Sequence, residues 1–195
     1  MKYCRRPGLN EKEQKQLDEG VDFRVSRESV ERMNDYLFDE INKLVGEDDE
    51  LYHVGDFCFG AKYDYYKTVK RFRDRINCRR VHQIFGNHDF YDDMPSIFET
   101  NGHRAFTTYN NQFFVFDHYC GAIWNKHHHK AILCYAHSHS TAERWADKIM
   151  PGRRSMDIGV DNAAKLLGAY RPFALEEVID ILKDRPGHTT GDHHQ

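Results

Sequence analysis

Val81-His82-Gln83-Ile84-Phe85-Gly86-Asn87-His88-Asp89 passes from an apolar, β-rich run into a glycine, an amide, an imidazole and a carboxylate. Short runs rich in β-branched and aromatic residues, closed by a glycine, read as strands. The arrangement returns along the chain. Leu51-Tyr52-His53-Val54 precedes Gly55-Asp56, Phe113-Phe114-Val115-Phe116 precedes Asp117-His118, and Ala131-Ile132-Leu133-Cys134-Tyr135 precedes Ala136-His137-Ser138-His139. Amide oxygen, carboxylate and imidazole at neighbouring strand ends are hard-to-borderline metal ligands converging on one rim.

Outward from these strands the pattern changes period. Val30, Met33, Leu37, Phe38, Ile41, Leu44 and Val45 recur at helical spacing after Ser26, and Gly46 is a C-terminal stop. The spacing predicts an amphipathic helix packed on a sheet. A second helix is expected over 62–76, with Tyr65, Val69, Phe72 and Ile76 on its buried face, and a short one near Met94–Thr100. His103–Tyr109 and Gln112–Phe116, joined by Asn110-Asn111, read as a hairpin. Ser155–Val160 reads as a late strand and Leu175–Leu182 as a closing helix after Pro172. Alternating β and α followed by consecutive strands predicts a layered α/β sandwich with mixed sheets, in which sites form beyond the carboxyl ends of strands. One domain over 1–184 is expected, opening on an irregular segment 1–25 and trailing into a flexible tail, 185–195.

Composition narrows the function classes. The 195-residue chain is long enough for one real core, and a net charge of −3 supplies no global field toward nucleic acid or anionic membrane. No apolar run approaches a membrane span, and Met1–Pro7 has no apolar core of a signal peptide. Five cysteines without a Cys-x-x-Cys pair fit a reduced, cytoplasmic setting. Of the thirteen histidines, His127-His128-His129 and His193-His194 sit in polar surroundings and read as solvated loop and tail residues. A basic stretch, Lys67, Lys70, Arg71, Arg73, Arg75, Arg79 and Arg80, admits a solvated helix face or a contact to nucleic-acid phosphates.

Each motif has its own chemistry. The two oxygens of Asp56 can each take a cation, although Gly-Asp alone is an ordinary turn. Asn87 offers a neutral amide oxygen, and Asp89 is placed to hold one ring nitrogen of His88 and fix its tautomer. His137 and His139, at i and i+2 in extended backbone, would lie on one side of the chain. His118 ends a strand and could complete the set.

Taken together, Asp56 to His139 resembles the calcineurin-like metallophosphoesterase family, its small bacterial and phage members in particular, over about residues 26–183. The resemblance implies two divalent metals, commonly Mn, Fe or Zn, and hydrolysis of phosphomono- or phosphodiesters, nucleotides and nucleic acids included, by a metal-bound hydroxide. By matching motif, Asp56 would bridge the metals, Asn87, His118 and His137 would complete the second, and His139 would serve the first. His88 would contact the phosphate and protonate the leaving oxygen, with Asp89 beside it. The family's pattern opens with Asp-x-His on a first strand, which is not found upstream of Asp56. The literal match, Asp192-His193-His194, follows no strand. Lys2–Pro7 resembles the segment just after that motif. The expectation is therefore a chain that starts late, lacks its first strand, leaves a sheet position unpaired and keeps one metal of two. A catalytically silent relative that binds phosphate is the alternative.

Overall fold

The computed structural model describes residues 5–91 and 96–187. Its strands form two sheets. The first is wholly parallel, in the order β1 (Glu50–Val54), β2 (Arg80–Ile84), β3 (Thr100–Gly102). The second is mixed. β4 (Arg104–Tyr109) and β5 (Gln112–Asp117) are antiparallel, and β6 (Ile132–Tyr135) and β7 (Ser155–Asp157) extend the sheet in parallel. Asn110 and Asn111 make the hairpin turn with φ of 47° and 60°, the left-handed region that asparagine tolerates best among non-glycines.

Period-two alternation decides which side chains meet. Val54 and Ile84 face Phe114, Phe116, Ile132, Cys134 and Met156, forming the core between the sheets. Tyr52 stacks on Phe116 with ring centroids 4.4 Å apart. Leu51 and Val81 point the other way, onto a cluster with Tyr65, Val69 and Ile76. Val115, Leu133 and Tyr135 gather Trp124 on the outer face of the second sheet. The layered α/β sandwich follows.

The helices agree with the sequence in part. α2 (Arg27–Leu44) starts at its cap Ser26 as expected. The second expected helix is a 3₁₀ turn, Lys62–Asp64, followed by α3 (Tyr65–Arg73). Within Met94–Thr100, residues 94 and 95 lie outside the described residues, 96–99 form turns and bends, and Thr100 already belongs to β3. The expected strand 155–160 stops at Asp157, and Val160 opens α5 (Val160–Leu167). α4 (Glu143–Ile149) has no counterpart in the sequence reading, whereas α6 (Leu175–Leu182) does.

Residues 1–25 are not wholly irregular. α1 (Glu11–Asp18) carries a full capping box between Asn10 and Glu13. Glu13 is buried and also accepts from the Ser26 backbone N–H at 2.6 Å and from the Ser29 hydroxyl, tying this segment to α2. His127 departs from its expected solvation. It is buried, and its Nδ1 donates to the Trp124 carbonyl at 3.1 Å. His193 and His194 lie outside the described residues.

The basic stretch finds local partners. Lys67 pairs with Asp64, Lys70 with Asp74, Arg75 with Asp35, Arg79 with Glu47 and Arg80 with Glu50. Arg73 caps the carbonyls of Ile76, Cys78 and Arg79, and Arg71 lies over the Phe72 ring. That is the pattern of a solvated helix face. Among the described residues, no helix is long and apolar enough to cross a membrane.

Candidate metal centre

The carboxyl ends of β1, β2, β5 and β6 meet at one rim. Among the described residues, Asp56, His118 and His137 bring ligand atoms within 4.8 Å of one another. His118 is the hub. Its Nδ1 lies 2.9 Å from the Val54 carbonyl, which can only accept, so that nitrogen carries the proton and Nε2 presents a lone pair. Three more electron-rich atoms surround Nε2: Asn87 Oδ1 at 3.1 Å, His137 Nδ1 at 3.2 Å and Asp56 Oδ2 at 3.5 Å. Neighbouring ligands at right angles, each about 2.1 Å from a shared cation, stand about 3 Å apart. The donor set therefore fits a divalent cation in chemistry and in spacing.

Two close approaches make this packing possible. A Cβ on Gly55, whose φ is 91°, would fall 2.1 Å from His118 Nδ1. A Cβ on Gly86 would fall 2.2 Å from Asp56 Oδ1. Glycine is required at both positions so that a ligand can pass against backbone.

Asp89 does not hold His88. It is 6% exposed, and its two oxygens accept from the backbone N–H groups of Asp56 (2.9 Å), Phe57 (3.0 Å) and Gly86 (2.8 Å). The Tyr65 hydroxyl (2.8 Å) and Gln83 Nε2 (3.1 Å) complete the set. A carboxylate with that many donors has its lone pairs spent, so Asp89 braces two loops instead of orienting an imidazole. His88 is exposed; its backbone N–H donates to Asp56 Oδ1 at 2.9 Å, and its ring rests on Phe59.

The His137–His139 stretch is not extended. His137, His139 and Ser140 have φ of 47°, 48° and 66°, a left-handed conformation that costs non-glycine residues roughly 1–3 kcal/mol each unless the surroundings hold it. The holder is Asp157, with no exposed surface. It accepts from Ser138 Oγ (3.0 Å), Ser140 N (2.8 Å) and Gly159 N (2.7 Å). As a result His137 and His139 part company. His137 joins His118, and burial, followed by the neighbouring His118, pushes its pKa below the ordinary value. His139 stands outside the three-residue cluster, with Nδ1 2.5 Å from Asp161 Oδ2.

Asp161 was not singled out as a site residue from the sequence, and neither was Arg6. Arg6 grips Asp161 with Nε and Nη2 at 2.8 and 2.6 Å, and Nη2 also reaches His139 Nδ1 at 3.2 Å. Burial raises the Asp161 pKa, but the hydrogen bonds from Arg6 and His139 outweigh it and hold this carboxyl well below the usual range. A separation of 155 residues left no local signal for the pair. Beside this centre runs a groove of about 400 Å³, lined by Val30, Met33, Leu37 and Ile41 of α2 and by residues 51–54 of β1. Among the described residues β1 pairs with β2 alone, so one of its edges faces this groove.

The chain is similar to known proteins in sequence and in fold. The chain is 23% identical over 188 residues to the uncharacterized protein MJ1445 of Methanocaldococcus jannaschii, covering 94% of this chain and 83% of that one. Its fold is similar to the crystal structure of the protein of unknown function AQ665 from Aquifex aeolicus. The TM-score is 0.57 at 17% identity, over 89% of this chain and 94% of that one. The model of the calcineurin-like phosphoesterases matches residues 27–187. That span holds every donor around His118 Nε2, and the chain belongs to the calcineurin-like phosphoesterase family.

Proposed function

We propose that the protein is a metal-dependent phosphoesterase that hydrolyses phosphomono- or phosphodiesters. One observation carries the reading: the lone pair of His118 Nε2 is surrounded by oxygen and nitrogen donors of Asp56, Asn87 and His137. Asp56, Asn87, His118 and His137 would hold one divalent cation, with Mn, Fe and Zn all suited to the mixed set. A cation there supplies Lewis acidity toward phosphate oxygens and lowers the pKa of water. His139, held at Nδ1 by Asp161, keeps Nε2 for a second cation, in the manner of carboxylate–histidine pairs at metal sites.

His88 would protonate the leaving oxygen, and its backbone tie to Asp56 keeps that acid in register with the ligand. Asp89 is a positioning residue for both loops. The cysteines among the described residues are free thiols, which supports a reducing cytoplasmic setting. The silent-relative reading draws on the engagement of His139 by Asp161, a carboxylate that Arg6 also holds.

The test loads the purified chain with Mn²⁺, counts bound metal, and follows hydrolysis of bis-(p-nitrophenyl) phosphate. Turnover is expected with one tightly held metal. His118→Ala loses metal and turnover together. His88→Ala keeps the metal and loses about 10²-fold or more in turnover. Bound metal with no turnover under Mn, Fe or Zn would favour the silent relative.

A further inference from the structure

On the His139 side of the centre the chain supplies a positive charge of its own. Both oxygens of Asp161 are engaged there. Oδ1 accepts from Arg6 Nε at 2.8 Å, and Oδ2 accepts from Arg6 Nη2 at 2.6 Å and from His139 Nδ1 at 2.5 Å. The ion pair is largely buried, with side-chain exposures of 19% for Arg6 and 8% for Asp161. Two parallel N–H···O bonds fix the plane of a guanidinium as well as its place. Arg6 lines the same cavity as Asp56, His118, His137 and His139. A permanent positive charge is therefore built into the wall that carries the metal donors.

The two sides of the cavity offer a cation different terms. At His118, Asp56 contributes a negative charge, and Asn87 and His137 contribute neutral donors. At His139 the charge of Asp161 is matched by Arg6, whose Nη2 lies 3.2 Å from His139 Nδ1. A cation drawn to His139 Nε2 would meet that guanidinium across a single imidazole ring, and like charges repel strongly where water is sparse. A phosphate meets the opposite, because the arginine fork matches its oxygens. Stability alone does not account for the pair, since desolvation offsets the attraction of a buried ion pair. What the pair secures is a fixed positive charge beside the donors.

We infer that Arg6 stands in for a second cation: it clamps the substrate phosphate from the His139 side and leaves His139 Nε2 a weak cation site. Asp161 is its positioning residue. This rests on the phosphoesterase reading for the identity of the ligand. The protein then works with one firmly held metal, at His118, and one guanidinium.

Calorimetric titration counts Mn²⁺ per chain and, at one Mn²⁺ per chain, measures the affinity for inorganic phosphate. The wild type is expected to take one Mn²⁺ firmly and a second at least about 10-fold more weakly. Arg6→Gln removes the charge. Its second Mn²⁺ should bind about 10-fold more tightly than that of the wild type. Its affinity for phosphate should fall about 10- to 100-fold. Arg6→Lys, which keeps the charge and loses the fork, should leave the second Mn²⁺ weak. Asp161→Asn, which unfastens the fork, should weaken phosphate binding. Either quantity unchanged in Arg6→Gln would overturn the inference and leave the phosphate-ester reading standing. Two Mn²⁺ of equal affinity in the wild type would overturn it as well, with no variant required to fold. Wild-type protein that binds Mn²⁺ but no phosphate would overturn the inference and the phosphate-ester reading together.

Discussion

Asp89 and Asp157 lie beneath opposite halves of the metal centre and do the same kind of work on different terms. Asp89 gathers donors from the loops after β1 and β2, together with a tyrosine hydroxyl and a glutamine amide from the core below. Asp157 gathers a serine hydroxyl and two backbone N–H groups around the left-handed loop after β6. Burial, the largest influence on Asp157, pushes its carboxyl above the ordinary range against those three hydrogen bonds. Its charge therefore costs folding free energy at neutral pH and holds a strained loop. The half built on Asp89 is the better satisfied, and the half built on Asp157 is the one held under tension. Ligand loops need not be stable in themselves when a buried carboxylate beneath them supplies the acceptors.

The largest effect expected is at Asp89. Asp89→Ala strands several buried donors at once, each costing about 1–3 kcal/mol, so a loss of about 4 kcal/mol or more is expected in urea unfolding. Mn²⁺ affinity should fall about 100-fold as Asp56 and Asn87 lose their loop geometry. Asp157→Ala leaves fewer donors stranded and relieves a desolvated charge, so about 2–3 kcal/mol and roughly a 10-fold loss of Mn²⁺ affinity are expected. Equal losses for the two variants, by the same unfolding and calorimetric measurements, would break the comparison.

The smallest effect sharpens it. Glu13 is a third buried carboxylate hub, far from the ligands in role: it fastens α1 to α2. Burial raises its pKa, but hydrogen bonds from Ser29 and from the Ser26 and Asn10 backbone outweigh this and lower it to about 2. A depressed folded pKa contributes stability above the ordinary value of 4.5, and that contribution is lost as pH falls toward 2. Asp157 works in the opposite sense, since its raised pKa means that protonation relieves the folded state. The stability difference between wild type and Glu13→Gln should be constant above pH 4.5 and close below it, with Mn²⁺ affinity at neutral pH unchanged. A gap that widens on acidification would contradict the assigned direction.

Much of this centre was legible from local pattern. Gly86-Asn87-His88-Asp89 and Gly55-Asp56 follow strands whose alternation is visible in the chain, and Asn110-Asn111 marks its own hairpin. α1 was missed, although Asn10 and Glu13 stand at capping-box spacing, because the segment has little apolar periodicity. The role of Asp89 was not legible. Its nearest neighbour in sequence is His88, but its partners come from Asp56, Phe57, Tyr65 and Gln83. That His137 and His139 would share a side was expected of extended backbone, and this backbone is left-handed.

By itself the sequence determined most of the strands, the hairpin and the residue types at the strand ends, because each is encoded by the spacing of apolar side chains and glycines within a few residues. The tertiary structure decided which donors share a cation, which carboxylate braces which loop, and that Arg6 and Asp161 face His139. Those contacts join residues brought together only by the packing of two sheets, and their energies depend on burial and donor count that no local pattern records.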